Sequence, residues 1–143
     1  MPVIKKHINI LLVLIWMAFI FTMSSFNATE SSNQSNFIVN IIVNIFNINN
    51  IELLSFIIRK LAHFTEYLIL GILTYNLIKS YNKKAYIAIF ICILYAINDE
   101  IHQYFVPGRS CQILDMTIDS IGSITGIYLL KQINKYKTER RKK

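Results

Sequence analysis

From Ile8 to Phe26 the chain runs for 19 residues without a charged side chain. About 20 mostly apolar residues, wound as a helix, cross the hydrocarbon core of a bilayer. Comparable stretches follow at about residues 56–78, 85–104 and 113–130. Four such segments in 143 residues leave no room for a separate domain outside the membrane. The expected fold is all-α: a polytopic membrane helical bundle of four transmembrane helices plus a short interfacial helix on the outer side, all in a single membrane domain. Composition agrees, at 54% hydrophobic and 16% charged. Soluble domains average about 45–50% and 25%. A soluble domain and a disordered chain are both excluded.

The segments between the spans are short. Lys5, Lys6 and His7 precede the first span, as they would a signal peptide, but the apolar run exceeds the roughly 7–15 residues of a signal. A retained span is expected. Asn27 to Asn36 is rich in Ser, Asn and Thr and reads as a loop. Residues 37–48 carry Asn40, Asn44 and Asn47 on one helical face. That segment is too short and too polar to span, so a helix at the membrane surface is expected. Asn47 to Asn50 reads as a turn, as does Val106-Pro107-Gly108-Arg109. A basic tail occupies residues 131–143.

The net charge of +7 does not point to nucleic acid, because the basic residues sit where apolar segments end. With the N-terminus in the cytoplasm and four spans, twelve Lys and Arg fall on the cytoplasmic side. Arg59, Lys60 and Arg109 alone fall outside. The bias of Lys and Arg to cytoplasmic loops sets this orientation. Both termini are therefore expected in the cytoplasm of a multi-pass cell-membrane protein. Cys92 lies in an apolar run and Cys111 in a polar turn, so no disulfide is expected.

In that orientation three spans bring ionisable side chains to one level of the outer leaflet. Lys60, His63, Glu66 and Tyr67 lie in the outer half of the second span. Asp99, Glu100, His102 and Gln103 end the third. Asp115 and Asp119 begin the fourth, on a stripe with Gly122 and Gly126. An ionisable group in a span costs about 2.5–3.5 kcal/mol on the translocon scale. These groups should face one another or water. His63, Glu66, Asp99 and Glu100 are expected in one pocket, and Arg109 is expected to pair with Glu100 or Asp115. Gly122 and Gly126 form a GxxxG, a motif for close helix contact, within the chain or between two copies.

Lys60-Leu-Ala-His63-Phe-Thr-Glu66-Tyr67, followed by Asp99-Glu100-Ile-His-Gln103-Tyr-Phe105-Val-Pro107-Gly108-Arg109, resembles the VanZ-like family. Asp115, Asp119, Gly122 and Gly126 complete the pattern, which covers about residues 8–130. Ser24-Ser25 fits the Ser-rich end of the family's first span. One departure is Asp119, where many members carry Asn; the site here is correspondingly more acidic. The resemblance implies a small bacterial multi-span membrane protein, of a family whose namesake is tied to teicoplanin resistance. It implies no particular reaction.

The first functional expectation is a non-enzymatic envelope protein that binds a polar or anionic headgroup, such as that of a lipid-linked cell-wall precursor, or modulates glycopeptide susceptibility. Its ligand-binding candidates are Lys60, His63, Glu66, Tyr67, Asp99, Glu100, Gln103, Arg109, Asp115 and Asp119. The alternative is a membrane-embedded enzyme acting on such a precursor. His63, Glu66, Asp99 and Glu100 would then supply acid and base groups. No resident metal and no cofactor are expected, although His63 and its carboxylates offer N and O ligands. A proton-coupled carrier fits less well, since the polar groups do not continue to the inner side.

Overall fold

The computed structural model describes residues 2–46 and 50–141. Five helices follow in order: α1 (Pro2–Ser24), α2 (Ala28–Phe46), α3 (Ile51–Ser80), α4 (Ala85–Tyr104) and α5 (Ile113–Arg140). There is no strand among the described residues. Of the expected turn over Asn47–Asn50, Asn47, Ile48 and Asn49 lie outside the described residues. Asn50 caps α3, its side chain accepting from the Leu53 N–H at 3.0 Å.

Polar groups are inside and large apolar groups outside. Asp99, Glu100, Gln103, Asp115, Asp119 and Ser123 are all buried, while Leu11, Phe19, Leu61, Phe90, Ile101 and Leu129 are exposed. That inversion suits lipid as the surrounding solvent. α1, α4 and α5 are each long and apolar enough to cross a membrane. α3 does not meet that measure; Glu52, Arg59, Lys60 and Glu66 all lie within its first 16 residues.

The loop expected over Asn27–Asn36 is a helix instead. α2 begins at Ala28, nine residues before the expected interfacial helix. Asn27 and Glu30 explain it. The Glu30 N–H donates to Asn27 Oδ1 at 2.9 Å, and the Asn27 N–H donates to Glu30 Oε2 at 3.1 Å. This reciprocal capping box satisfies two donors that a helix start leaves free. Of the Ser and Asn residues that follow, Asn33 and Asn36 are exposed, and Ser35 bonds back to the Ser31 carbonyl. α2 lays Ser35 and Val39 on the bundle and leaves Asn40 and Asn44 exposed.

α3 is the central element. It runs antiparallel to α1, with Lys6 over the Tyr81 ring at one end and Trp16 Nε1 donating to the Glu66 carbonyl at 2.9 Å. α1 and α4 run parallel: Tyr95 OH donates to the Met17 carbonyl at 2.6 Å. Val13, Ile20, Tyr67, Leu70, Cys92 and Ala96 fill the core between these three helices. Cys92 and Cys111 are both free.

α3 and α5 run parallel and approach until backbone meets backbone. A Cβ on Gly122 would lie 2.5 Å from the Phe64 carbonyl oxygen. A Cβ on Gly126 would strike the Leu68 carbonyl, and one on Gly71 the Ser123 backbone. The GxxxG is thus used within the chain, and both of its glycines are buried. Close approach by small residues is the usual basis of helix packing in lipid.

Candidate functional site

The site lies where α1 ends, α2 and α3 begin, α4 ends and α5 begins. Parallel α3 and α5 bring two pairs together one turn apart. Lys60 forms an ion pair with Asp115, both side chains being largely buried. His63 Nδ1 lies 3.3 Å from Asp119 Oδ1. The i+3 step on α3 matches the i+4 step on α5, which keeps both pairs in register.

Glu100 does a different task. Its Oε2 accepts the N–H of Gln112 at 2.8 Å. Gln112 is the N-cap residue of α5, and its own side chain makes no cap. A carboxylate from α4 therefore satisfies a free donor at the positive end of α5. Asp99 faces α1 instead. Its Oδ2 accepts from Ser24 Oγ at 2.9 Å and from Gln103 Nε2 at 3.3 Å. His102 departs from this cluster: its ring stacks on Phe21 at 4.3 Å and its Nε2 lies 3.1 Å from Ser25 Oγ.

Arg109 does not pair with Glu100 or Asp115 as expected. Its Nη1 donates to the Ser24 carbonyl at 3.2 Å and its Nη2 to Ser31 Oγ at 3.1 Å. The physical reason is prior occupation, since Asp115 holds Lys60 and Glu100 holds the Gln112 N–H. The turn aims Arg109 across the bundle toward α1 and α2. Gly108 makes that possible at φ +75, a conformation that suits glycine. Burial pulls the Arg109 pKa below its ordinary value, opposed by the charges of Asp99, Glu100 and Asp115. An arginine remains charged regardless.

Two adjoining cavities open here, of about 180 Å³ and 150 Å³. Ser31, Arg59, His63 and Arg109 line both. Of the residues expected from sequence, Glu66 lines the larger, and Lys60, Gln103 and Asp115 the smaller. Tyr67, Asp99, Glu100 and Asp119 line neither and lie buried behind them. His63 joins the two groups, since His63, Glu100 and Asp119 each bring one ligand-type atom within 4.8 Å of the others.

Arg59, Ser24 and Ser31 were not expected as site residues from sequence. Arg59 stands one helical turn before His63 and two before Glu66, so i, i+4, i+7 spacing marks the face they share. Ser31 was hidden by reading its segment as a loop. The Asn27-x-x-Glu30 capping signal would have placed it on a helix.

No curated protein and no solved structure matches the chain. The VanZ/LLP1 family profile matches residues 9–134, which reach all five helices and include every side chain of the site, and the chain belongs to that family.

Proposed function

We propose that this VanZ-family membrane protein binds the anionic headgroup of a lipid-linked cell-wall precursor at the outer surface of the cell membrane. In this reading α3 is the fourth span and α2 lies at the interface. At about 1.5 Å per residue its 30 residues reach about 45 Å, beyond the roughly 30 Å hydrocarbon core. Arg59, Lys60, His63 and Glu66 face the two cavities, and the half of the helix beyond them crosses lipid. Both termini lie in the cytoplasm, following the Lys and Arg bias.

One observation carries the reading. Arg59 and Arg109 both line both cavities, and neither is ion-paired with a carboxylate among the described residues. Guanidinium groups bind phosphate and carboxylate through paired N–H donors. Lys60 lines the smaller cavity beside its partner Asp115, so that pair adds no net charge there. The apolar flanks at Ile38 and Ile58 suit the first carbons of a lipid chain. Sequestering such a headgroup, or covering it, would alter the access of a teicoplanin-type glycopeptide.

The test uses the full chain in lipid nanodiscs and a fluorescent polyprenyl diphosphate. Saturable binding is expected, weakened at least about tenfold in R59Q and R109Q if each removes a charge-assisted contact of about 1.5–3 kcal/mol. Equal binding by wild type and both variants contradicts the proposal. Release of phosphate from the bound lipid would favour the enzyme reading instead.

A further inference from the structure

We infer that His63, Glu100 and Asp119 form a site for one divalent transition-metal ion, of the Zn2+ or Mn2+ kind, at the floor of the two cavities. The three come from three different helices, α3, α4 and α5, and each offers one ligand atom within 4.8 Å of the others. Metal ligands bond at about 2.0–2.2 Å. Around a tetrahedral ion two such atoms stand about 3.4 Å apart. The separations need to close by at most about 1.4 Å.

The buried polar atoms point to such an ion independently. Asp119 is wholly buried, and neither of its carboxylate oxygens has a hydrogen-bond partner. Glu100 is also wholly buried, and its Oε1 is unpartnered although its Oε2 is held by Gln112. His63 Nδ1 stands close to Asp119 but is not aligned to hydrogen-bond it. Buried polar atoms normally find partners, and unmet ones call for an explanation. Charge gives the same answer. Neither carboxylate has a Lys or Arg within 4.0 Å among the described residues. Two buried negative charges match one divalent cation, which would be the largest local charge.

The donor set selects the class of ion. Mg2+ and Ca2+ prefer all-oxygen shells. One imidazole nitrogen with two carboxylate oxygens suits first-row transition ions. His63 also lines both cavities, so an ion held there would keep coordination positions open toward them. The ion site does not depend on the headgroup reading and is measured without lipid ligand.

The full chain in detergent is equilibrated with Zn2+, Mn2+ or Mg2+ singly, desalted, and its metal counted by mass spectrometry. Close to one Zn2+ or Mn2+ per chain is expected, with Mg2+ lost on desalting. E100Q and D119N remove charge while keeping shape. Each should weaken binding more than about tenfold, since even residues that only orient metal ligands contribute about 10–100-fold. Co2+ added to wild type should give visible ligand-field bands that Zn2+ abolishes, a readout that needs no variant. No retained metal and no Co2+ bands would overturn the site and leave the trio held by shared protons. Unchanged binding in both folded variants would move the metal elsewhere and overturn it equally.

Discussion

Glu100 of α4 caps α5, its carboxylate accepting the N–H of Gln112, twelve residues further along the chain, at 2.8 Å. One side chain thereby fixes where the last helix starts and how deep Asp115 and Asp119 sit. Glu100→Gln keeps an acceptor oxygen at the same place, so it should fold normally. Glu100→Leu should lower stability by about 0.5–2 kcal/mol, the usual worth of a cap. Thermal melting of the two variants in detergent checks this. Equal melting temperatures would show that the cap contributes nothing.

Lys60 and Asp115 should be separable from each other only at a cost. Removing one partner of a buried pair leaves the other charge uncompensated, at about 3–5 kcal/mol. Lys60→Met is expected to reduce the folded fraction sharply. Lys60→Met combined with Asp115→Leu should recover much of it. Folded yield by size-exclusion chromatography measures both. A double variant as poor as the single one would contradict this coupling.

The α3–α5 contact has no space for a side chain at Gly122. Gly122→Ala should push α5 off α3 and separate Lys60 from Asp115 and His63 from Asp119, costing about 1–3 kcal/mol. Ile124→Ala, on the exposed face of the same helix, should change stability little. A Gly122→Ala protein that melts with wild type would remove the close contact from consideration.

Most of the helix architecture and of the site was legible because both depend on spacing. Lys60, His63 and Glu66 fall on α3 at helical intervals, and Asp115, Asp119, Gly122 and Gly126 repeat every three or four residues on α5. Their cost in lipid made convergence the expected outcome. Partner choice was not legible. Arg109 could not be assigned to Ser24 and Ser31 with residues 27–36 read as a loop, and that reading followed polar composition where the Asn27–Glu30 capping pair decided the structure. The role of Glu100 as a cap depends on the path of the 105–112 turn, which no periodicity encodes. Gly71 was missed because its partner, the Ser123 backbone, lies on another helix.

Arg109 joins the 105–112 turn to α1 and α2 through the Ser24 carbonyl and Ser31. Arg109→Lys preserves the charge but offers a single ammonium where a planar fork spans two acceptors. It is expected to fold yet to loosen α2, seen as faster amide hydrogen exchange over residues 28–46. Unchanged exchange there would make Arg109 a group that serves the cavities alone.

That the polar site opens on the outer surface is tested most directly at Cys111. It is exposed in the turn beside Arg109, whereas Cys92 is buried in the core between α1, α3 and α4. Thiol reagents require access and a thiolate, which an apolar setting disfavours. A membrane-impermeant maleimide added to intact cells should label the protein, and Cys111→Ser should abolish the labelling. Labelling of Cys111 only after the cells are permeabilised would place the cavities in the cytoplasm and contradict a headgroup site at the outer face.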